Sequence, residues 1–220
     1  AADVEARVGQ IHMRDMLHEG FDRTMYDIQK YTGLGFGFSG VDRKRLDQIL
    51  RYNWSGRHFS ERVWLNSRAT ARQLSSALTE VILQGKTSKQ TFDELMAASG
   101  GSRMAANRLL RTETNYITNQ ATAEAYEQAG ITKYRYVSVL DGRTSEICAD
   151  LDGKVFNLED AEVGVNYPPA HPWCRSHVSP LIEDVELEGM TRWARDPETG
   201  EEMKVPRTMT YKQWREAIGK

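Results

Sequence analysis

Cysteine, histidine and proline are concentrated in one stretch of this 220-residue chain, and they limit how that stretch can fold. Both cysteines lie there with two of the five histidines, in the order Cys148-x22-His171-x2-Cys174-x2-His177. Three of the six prolines fall within residues 168–172, where they fix φ and keep the preceding residues extended. The prolines therefore predict a stiff loop that presents His171 and Cys174 at a low ordering cost.

Two thiolates and two imidazoles are donors that zinc prefers in a tetrahedral site. The spacing therefore predicts zinc or another structural metal. The ligands would be Cys148, His171, Cys174 and His177. A metal would also stabilise a β-rich module of only about 60 residues. The pattern has no Cys-x2-Cys pair, so a buried thiol pair, a Cys148–Cys174 disulfide and a capped loop histidine remain as alternatives.

The same residue types also suit catalysis. Cys174 or Cys148 could attack a substrate with His171 as the base. The aspartates available to orient that base are Asp141, Asp150 and Asp152. A nuclease site built on His171, Arg175 and His177 is a further alternative. No recognisable nucleophile motif accompanies these residues, so the sequence favours a protein without enzymatic activity and without a small-molecule substrate.

Helical patterns dominate the chain before this stretch. Apolar residues recur at i, i+4 spacing and predict a helix over residues 4–30. Four glycines within residues 33–40 then predict a loop or a bent extended segment. Two further long helices are predicted over residues 60–84 and 102–129, the second ended by Gly130.

Short strands are predicted after the last long helix, over residues 134–140, 154–156 and 178–182. A turn at residues 196–200 and a capped helix starting after Thr210 follow. The predicted fold class is therefore α+β. Its expected parts are a long-helix region at 1–130, a small β-rich module with the Cys/His cluster at 131–190, and a C-terminal arm with a short helix at 191–220.

One carboxylate falls within an apolar stripe of the helix over 102–129. Glu113 lies on the same line as Ile117 and Ala121 at i, i+4 spacing. A buried charge needs a partner, so we expect a structural ion pair with Arg143 or Arg175. In the alternative, Glu113 lies at the edge of the stripe and reaches water.

The formal net charge of −2 conceals a strong asymmetry along the chain. Residues 43–111 have a local balance of +8, whereas residues 133–220 have a balance of −4. A basic stretch can meet phosphates or an acidic protein surface, and a solvated helix face is the alternative. No apolar run approaches the ~20 residues of a membrane-spanning helix, so no membrane partner is expected.

Several segments of the chain resemble one known family. Residues 164–176, GVNYPPAHPWCRS, form the most specific motif, and residues 140–156, LDGRTSEICADLDGKVF, precede it. The others are residues 26–29, 54–64, 111–113 and 209–214. Together they are similar to the minor capsid, or head morphogenesis, proteins of tailed phages. This is the Mu F-like group, in the form common in phages and prophages of Gram-positive bacteria.

The resemblance implies a structural protein of the virion head, associated with the portal vertex and acting in head morphogenesis and in DNA packaging or ejection. Its partners would be the portal protein, other head proteins and double-stranded DNA. It would be located in the virion and, during assembly, in the bacterial host cytoplasm. The basic stretch fits such contacts with DNA or the portal through Arg43, Lys44 and Arg45.

The resemblance leaves one functional alternative, an effector enzyme such as a nuclease or hydrolase toxin that uses the Cys/His/Arg cluster. Family members usually carry a further N-terminal region, and this chain does not begin with Met. We therefore expect that a preceding segment has been removed or was never included.

Overall fold

The computed structural model describes residues 2–32, 40–41, 44–45, 48–49, 52, 103–182 and 189–219. The elements in chain order are α1 (Ala2–Thr32), α2 (Arg103–Gln128), β1 (Lys133–Val137), α3 (Glu146–Leu151), β2 (Val155–Asn157), a 3₁₀ turn (Leu158–Asp160), β3 (His177–Pro180), β4 (Thr191–Arg195), β5 (Glu202–Pro206) and α4 (Tyr211–Ala217). The predicted α+β class is confirmed. The helix predicted over residues 60–84 lies outside the described residues, as does most of the glycine-rich segment.

Helices α1 and α2 pack against each other along apolar stripes. Leu17, Phe21 and Met25 follow one another at i, i+4 spacing on α1 and are completely buried. Burial of such a side chain contributes about 1.5–3 kcal/mol. The helices approach closely at Gly20, where an added Cβ would lie 3.0 Å from the Cβ of Ala121. Gly20 therefore has a packing role in the helix interior, where glycine ordinarily weakens a helix.

The Cys/His module is built on an antiparallel sheet with strand order β2-β1-β3. Tyr134 of β1 pairs with Phe156 on one side and Pro180 on the other. Its ring packs edge-on against Tyr167, with centroids 5.1 Å apart. These rings belong to the same hydrophobic cluster as the buried faces of α1 and α2. Residues before and after position 130 therefore share one hydrophobic core.

The last part of the chain packs onto the module as well. Strands β4 and β5 form a hairpin, and Ala194 of β4 makes a bridge to Leu140. Helix α4 begins at a capping box in which Thr210 and Gln213 cap each other's backbone N–H groups. Trp214 of α4 is 1% exposed in a cluster with Leu140 and Ala194. The terminal helix thus docks on its own protein and does not offer Trp214 to a partner.

Helix α3 was not predicted from the sequence. Its six residues begin after Ser145, whose side chain accepts a hydrogen bond from the Cys148 N–H. The chain leaves α3 through Gly153, whose φ is +81°. An added Cβ at Gly153 would lie 2.8 Å from Cγ2 of Thr210, so this turn and α4 are in close contact. None of the described helices has the length and apolar character needed to cross a membrane.

Candidate functional site

Three of the four predicted metal ligands meet at one point of the module. Cys148 comes from α3, whereas His171 and Cys174 come from the proline-rich loop before β3. Both cysteines are 2% exposed, and His171 is partly exposed. One ligand atom from each residue lies within 4.8 Å of the other two, so all three could reach a single ion.

The distances within this group are short. The Cys148 Sγ atom lies 3.1 Å from Nε2 of His171 and 3.7 Å from Sγ of Cys174. The Tyr136 hydroxyl closes the buried side, at 3.4 Å from the Cys148 sulfur and 3.9 Å from the Cys174 sulfur. A disulfide requires about 2.05 Å between the sulfurs, and both cysteines are free thiols here. The disulfide alternative is therefore wrong for this structure.

The orientation of the His171 ring suits metal binding. Its Nδ1 atom lies 2.7 Å from the carbonyl oxygen of Pro172, which can only accept, so Nδ1 carries the proton of the neutral ring. The lone pair of Nε2 then faces the cysteines. The Ser145 hydroxyl lies 2.8 Å from this same nitrogen. A backbone contact that fixes the ring tautomer is a common feature of histidine ligands.

The two thiols are electrostatically unequal. A hydrogen bond from Cys148, opposed by burial and aided by backbone groups of Ala170 and Ser176, lowers the pKa of Cys174. The same hydrogen bond and burial raise the pKa of Cys148. The contact between the two sulfurs therefore separates the pKa values of the pair, with that of Cys174 the lower.

The donor chemistry and the distance between the two sulfurs fit a tetrahedral ion. Zinc–sulfur bonds of about 2.3 Å place two sulfurs of a tetrahedron about 3.8 Å apart. The observed separation of the Cys148 and Cys174 sulfurs is 3.7 Å. The Cys148–His171 distance of 3.1 Å is that of a hydrogen bond and is shorter than the corresponding edge, about 3.6 Å. Two thiolates with one imidazole are soft donors, typical of zinc rather than of calcium or magnesium.

The ligand loop is anchored to helix α2. Asn115 and Asn119 of α2 both donate to the carbonyl oxygen of Ser176, at 2.9 and 3.4 Å. The Trp173 N–H donates to the hydroxyl of Thr112 at 3.0 Å. Trp173 has a φ of +69°, a conformation that a bulky residue rarely adopts without support. Helix α2 therefore holds the turn that carries the Cys174 ligand.

A partly buried ion pair joins the same loop to the turn before α3. The Arg175 guanidinium donates to both oxygens of Asp141, at 2.6 and 2.7 Å. Asp141 also accepts the Arg143 N–H at 2.9 Å. Burial by itself would raise the pKa of Asp141, but these hydrogen bonds lower it below its ordinary value. This bidentate contact fixes the two ligand-bearing segments against each other.

A second buried ion pair ties the C-terminal hairpin to the module. The side chains of Asp152 and Arg192 are 0% and 9% exposed and lie 3.2 Å apart. Asp152 also accepts the N–H groups of Ser138 at 2.6 Å and Tyr211 at 2.7 Å. Arg192 donates further to the Ser138 and Met209 carbonyl oxygens. Sequence reasoning named Asp152 only as a candidate to orient a catalytic base, and it missed Arg192.

The structure does not place every predicted site residue in the cluster. His177, predicted as the fourth ligand, is exposed on β3 opposite Val137 and lies outside the ligand group. Glu113 is 2% exposed, so the alternative in which it reaches water is wrong. Its pairing with Arg143 or Arg175 stays a prediction.

The residues predicted to contact DNA or the portal occupy different environments. Lys44 is exposed. Arg45 forms ion pairs with Glu124 and Glu127 of α2, the second at 3.7 Å. Arg43 lies outside the described residues. Lys44 therefore faces solvent, whereas the Arg45 side chain, 43% exposed, is held by carboxylates of α2.

Comparisons with known proteins agree with the motifs of this module. A family model described as Phage Mu protein F like protein matches residues 72–179. An uncharacterized protein of Haemophilus influenzae is 21% identical over 114 residues, 52% of this chain and 26% of that relative. The chain therefore spans about a quarter of this relative's length. No solved structure matches. Through residues 72–179 the chain belongs to the Phage Mu protein F-like family, a family of phage head morphogenesis proteins.

Proposed function

We propose that this chain is a structural minor head protein of a tailed phage, associated with the portal vertex and without enzymatic activity. The match of residues 72–179 to the Mu F-like family carries this proposal. The protein would act in head morphogenesis and in DNA packaging or ejection, in contact with the portal protein and other head proteins. It would be found in the virion and, during assembly, in the host cytoplasm.

Within this function, the Cys/His group is a structural zinc site. The Cys148 and Cys174 thiolates and Nε2 of His171 would hold the ion. When bound, zinc would link α3 to the ligand loop, which helix α2 and the Asp141–Arg175 pair already position. A small module gains much of its stability from such a link.

Metal analysis of the purified chain tests the zinc site. We expect one equivalent of zinc, released by a chelator with loss of the near-ultraviolet signal of the module. His171→Ala should abolish zinc binding. His177→Ala is the matched control, because His177 lies outside the group and its loss should leave zinc bound. A wild-type chain that purifies without metal and is indifferent to zinc and chelator would refute the site.

A Cys–His hydrolase is the second candidate, because Cys148 lies 3.1 Å from His171. Burial opposes both possible nucleophiles, because Cys148 and Cys174 are each 2% exposed and a substrate cannot approach either sulfur without movement of the loop. The hydrogen bond to Cys174 and burial also raise the pKa of Cys148, which disfavours its thiolate, whereas the same hydrogen bond lowers the pKa of Cys174. Labelling of Cys148 by an alkylating reagent at neutral pH in zinc-loaded protein would support the hydrolase over the structural site.

The virion location has its own test. Mass spectrometry of purified particles should detect the chain in few copies, and a density map of the particle should place it at the portal vertex. Absence from particles would overturn the proposal. For the basic stretch, Lys44→Glu should weaken salt-sensitive binding to DNA or to purified portal, whereas Lys154→Glu, at an exposed lysine of the module, should not.

A further inference from the structure

Trp173 has a backbone conformation that a large side chain rarely adopts. Among the described residues other than glycine, it is the one with a positive φ, +69°. Glycine or asparagine would adopt this conformation with less strain. The indole is nevertheless 37% exposed, so burial in a core does not explain a tryptophan at this position. Strained residues of this kind are often found where a protein makes functional contacts.

The Trp173 ring is held beside arginine side chains of helix α2. The guanidinium carbon of Arg111 lies 5.9 Å from the centre of the ring, in a cation–π contact. Arg108, one turn earlier on the same side of α2, is also exposed. The Trp173 N–H is fixed by the hydroxyl of Thr112, so α2 orients both the backbone and the ring. A side chain that is already oriented loses little entropy when a partner binds.

The region beside this ring carries a further exposed guanidinium. The side chain of Arg143 is 76% exposed and lies 3.8 Å from Asp141, whose own side chain is 7% exposed and paired within the ligand loop. Helix α3 contributes exposed carboxylates at Glu146 and Asp150, but Asp150 pairs with Lys212 at 3.4 Å. The exposed arginines therefore outnumber the unpaired carboxylates named here, and the surface is basic.

We propose that an acidic surface of another head protein docks on Trp173, Arg108, Arg111 and Arg143, which we call the indole surface. This inference rests on the proposed function in the virion head. Tryptophan and arginine are the residues that most often contribute large shares of the binding energy of protein interfaces. Exposed guanidinium groups favour a partner that presents carboxylates.

The exposed indole favours a protein over duplex DNA as the occupant. Cations alone suffice for contacts with phosphates, and the arginines of the indole surface could make them. The bases of a duplex, however, are stacked on one another and offer no free face to an aromatic ring. A tryptophan held in a strained conformation would therefore add little to binding of a duplex, whereas it can fill a pocket on a protein.

Quantitative mass spectrometry of particles assembled with each variant as the sole source of the chain tests the indole surface. Trp173→Ala and Arg111→Glu should each lower the number of copies per particle at least about 10-fold, because loss of a central interface residue weakens binding by about 30-fold or more.

The C-terminal hairpin offers a matched control. Trp193 of β4 is 60% exposed, and Nζ of Lys204 lies 5.2 Å from the centre of its ring. This is also an exposed tryptophan–cation pair, but Trp193 has an ordinary strand backbone and lies outside the indole surface. Trp193→Ala and Lys204→Glu should leave the number of copies per particle unchanged.

A second substitution at the same position separates docking from folding. Trp173→Gly and Trp173→Ala both remove the indole, but only glycine adopts a φ of +69° without strain. The glycine variant should therefore have the higher melting temperature of the two, while both lose incorporation to the same extent. Incorporation that instead recovers with the melting temperature would show that Trp173 acts on folding, and it would overturn the docking proposal.

Two further results would overturn the indole surface. One is a wild-type number of copies per particle for Trp173→Ala or Arg111→Glu. The other is a loss of binding to a duplex DNA fragment by purified Trp173→Ala that parallels its loss from particles, which would assign the surface to nucleic acid. A wild-type chain absent from particles is a different result, because it removes the proposed virion function itself and the docking proposal with it.

Discussion

The Asp152 carboxylate is completely buried and accepts hydrogen bonds on both oxygens, so its replacement by asparagine should be costly. One oxygen accepts the Ser138 N–H and the other accepts the Tyr211 N–H. In either orientation of the asparagine side chain, its NH₂ group would face one of these two N–H groups, and two donors cannot form a hydrogen bond with each other. The substitution also leaves the Arg192 charge, 9% exposed, without its counter-ion. Loss of one partner of a buried ion pair costs about 3–5 kcal/mol.

Urea denaturation of the zinc-saturated protein, followed by tryptophan fluorescence, measures this cost for Asp152→Asn. The matched control is Glu202→Gln, which also converts an acid to its amide in an ion pair. Its partner, Arg195, lies 2.6 Å away, but the two side chains are 48% and 58% exposed. The control should cost less than about 1 kcal/mol. Equal losses for the two variants would refute the reasoning that burial sets the strength of the Asp152 pair.

Three further outcomes are expected. Hydrogen bonds lower the pKa of Asp141, so the ionised carboxylate stabilises the fold above about pH 4 and this stabilisation is lost in more acidic solution. The difference in unfolding free energy between the wild type and Asp141→Asn should therefore disappear below that pH. Gly153→Ala should destabilise more than Gly164→Ala in thermal melts, since both have positive φ but only the first meets a clash. Gly20→Val should separate α1 from α2 and lower the melting temperature by several degrees.

The sequence predicted the elements whose signals are local. Apolar periodicity with few breakers predicted a helix over 4–30, observed as Ala2–Thr32. A helix over 102–129, ended by Gly130, was also predicted and is observed as Arg103–Gln128. The capping box at Thr210 located α4. Helix α3 was missed because its six residues are too few to show a periodic pattern.

The candidate site was predictable in its chemistry but not in its pairings. Spacing and residue type selected Cys148, His171 and Cys174, because few other side chains bind soft metals. The same reasoning included His177, since a sequence does not tell which side of β3 a residue occupies. The contacts of Arg175 and Arg192 join residues 34 and 40 positions apart. Such contacts depend on the fold as a whole and not on any local pattern.

The Arg45 ion pairs reduce the number of cations that the basic stretch can offer to DNA. Binding to DNA releases condensed counterions, and the slope of log affinity against log salt is about −0.9 for each phosphate that a cation neutralises. While Arg45 is paired with Glu124 and Glu127, it neutralises no phosphate and therefore releases no counterions from DNA. Because Glu124 and Glu127 lie outside residues 43–111, the local balance of +8 counts Arg45 without the carboxylates that it pairs with. A measured salt slope would count the cations that remain available to a nucleic acid.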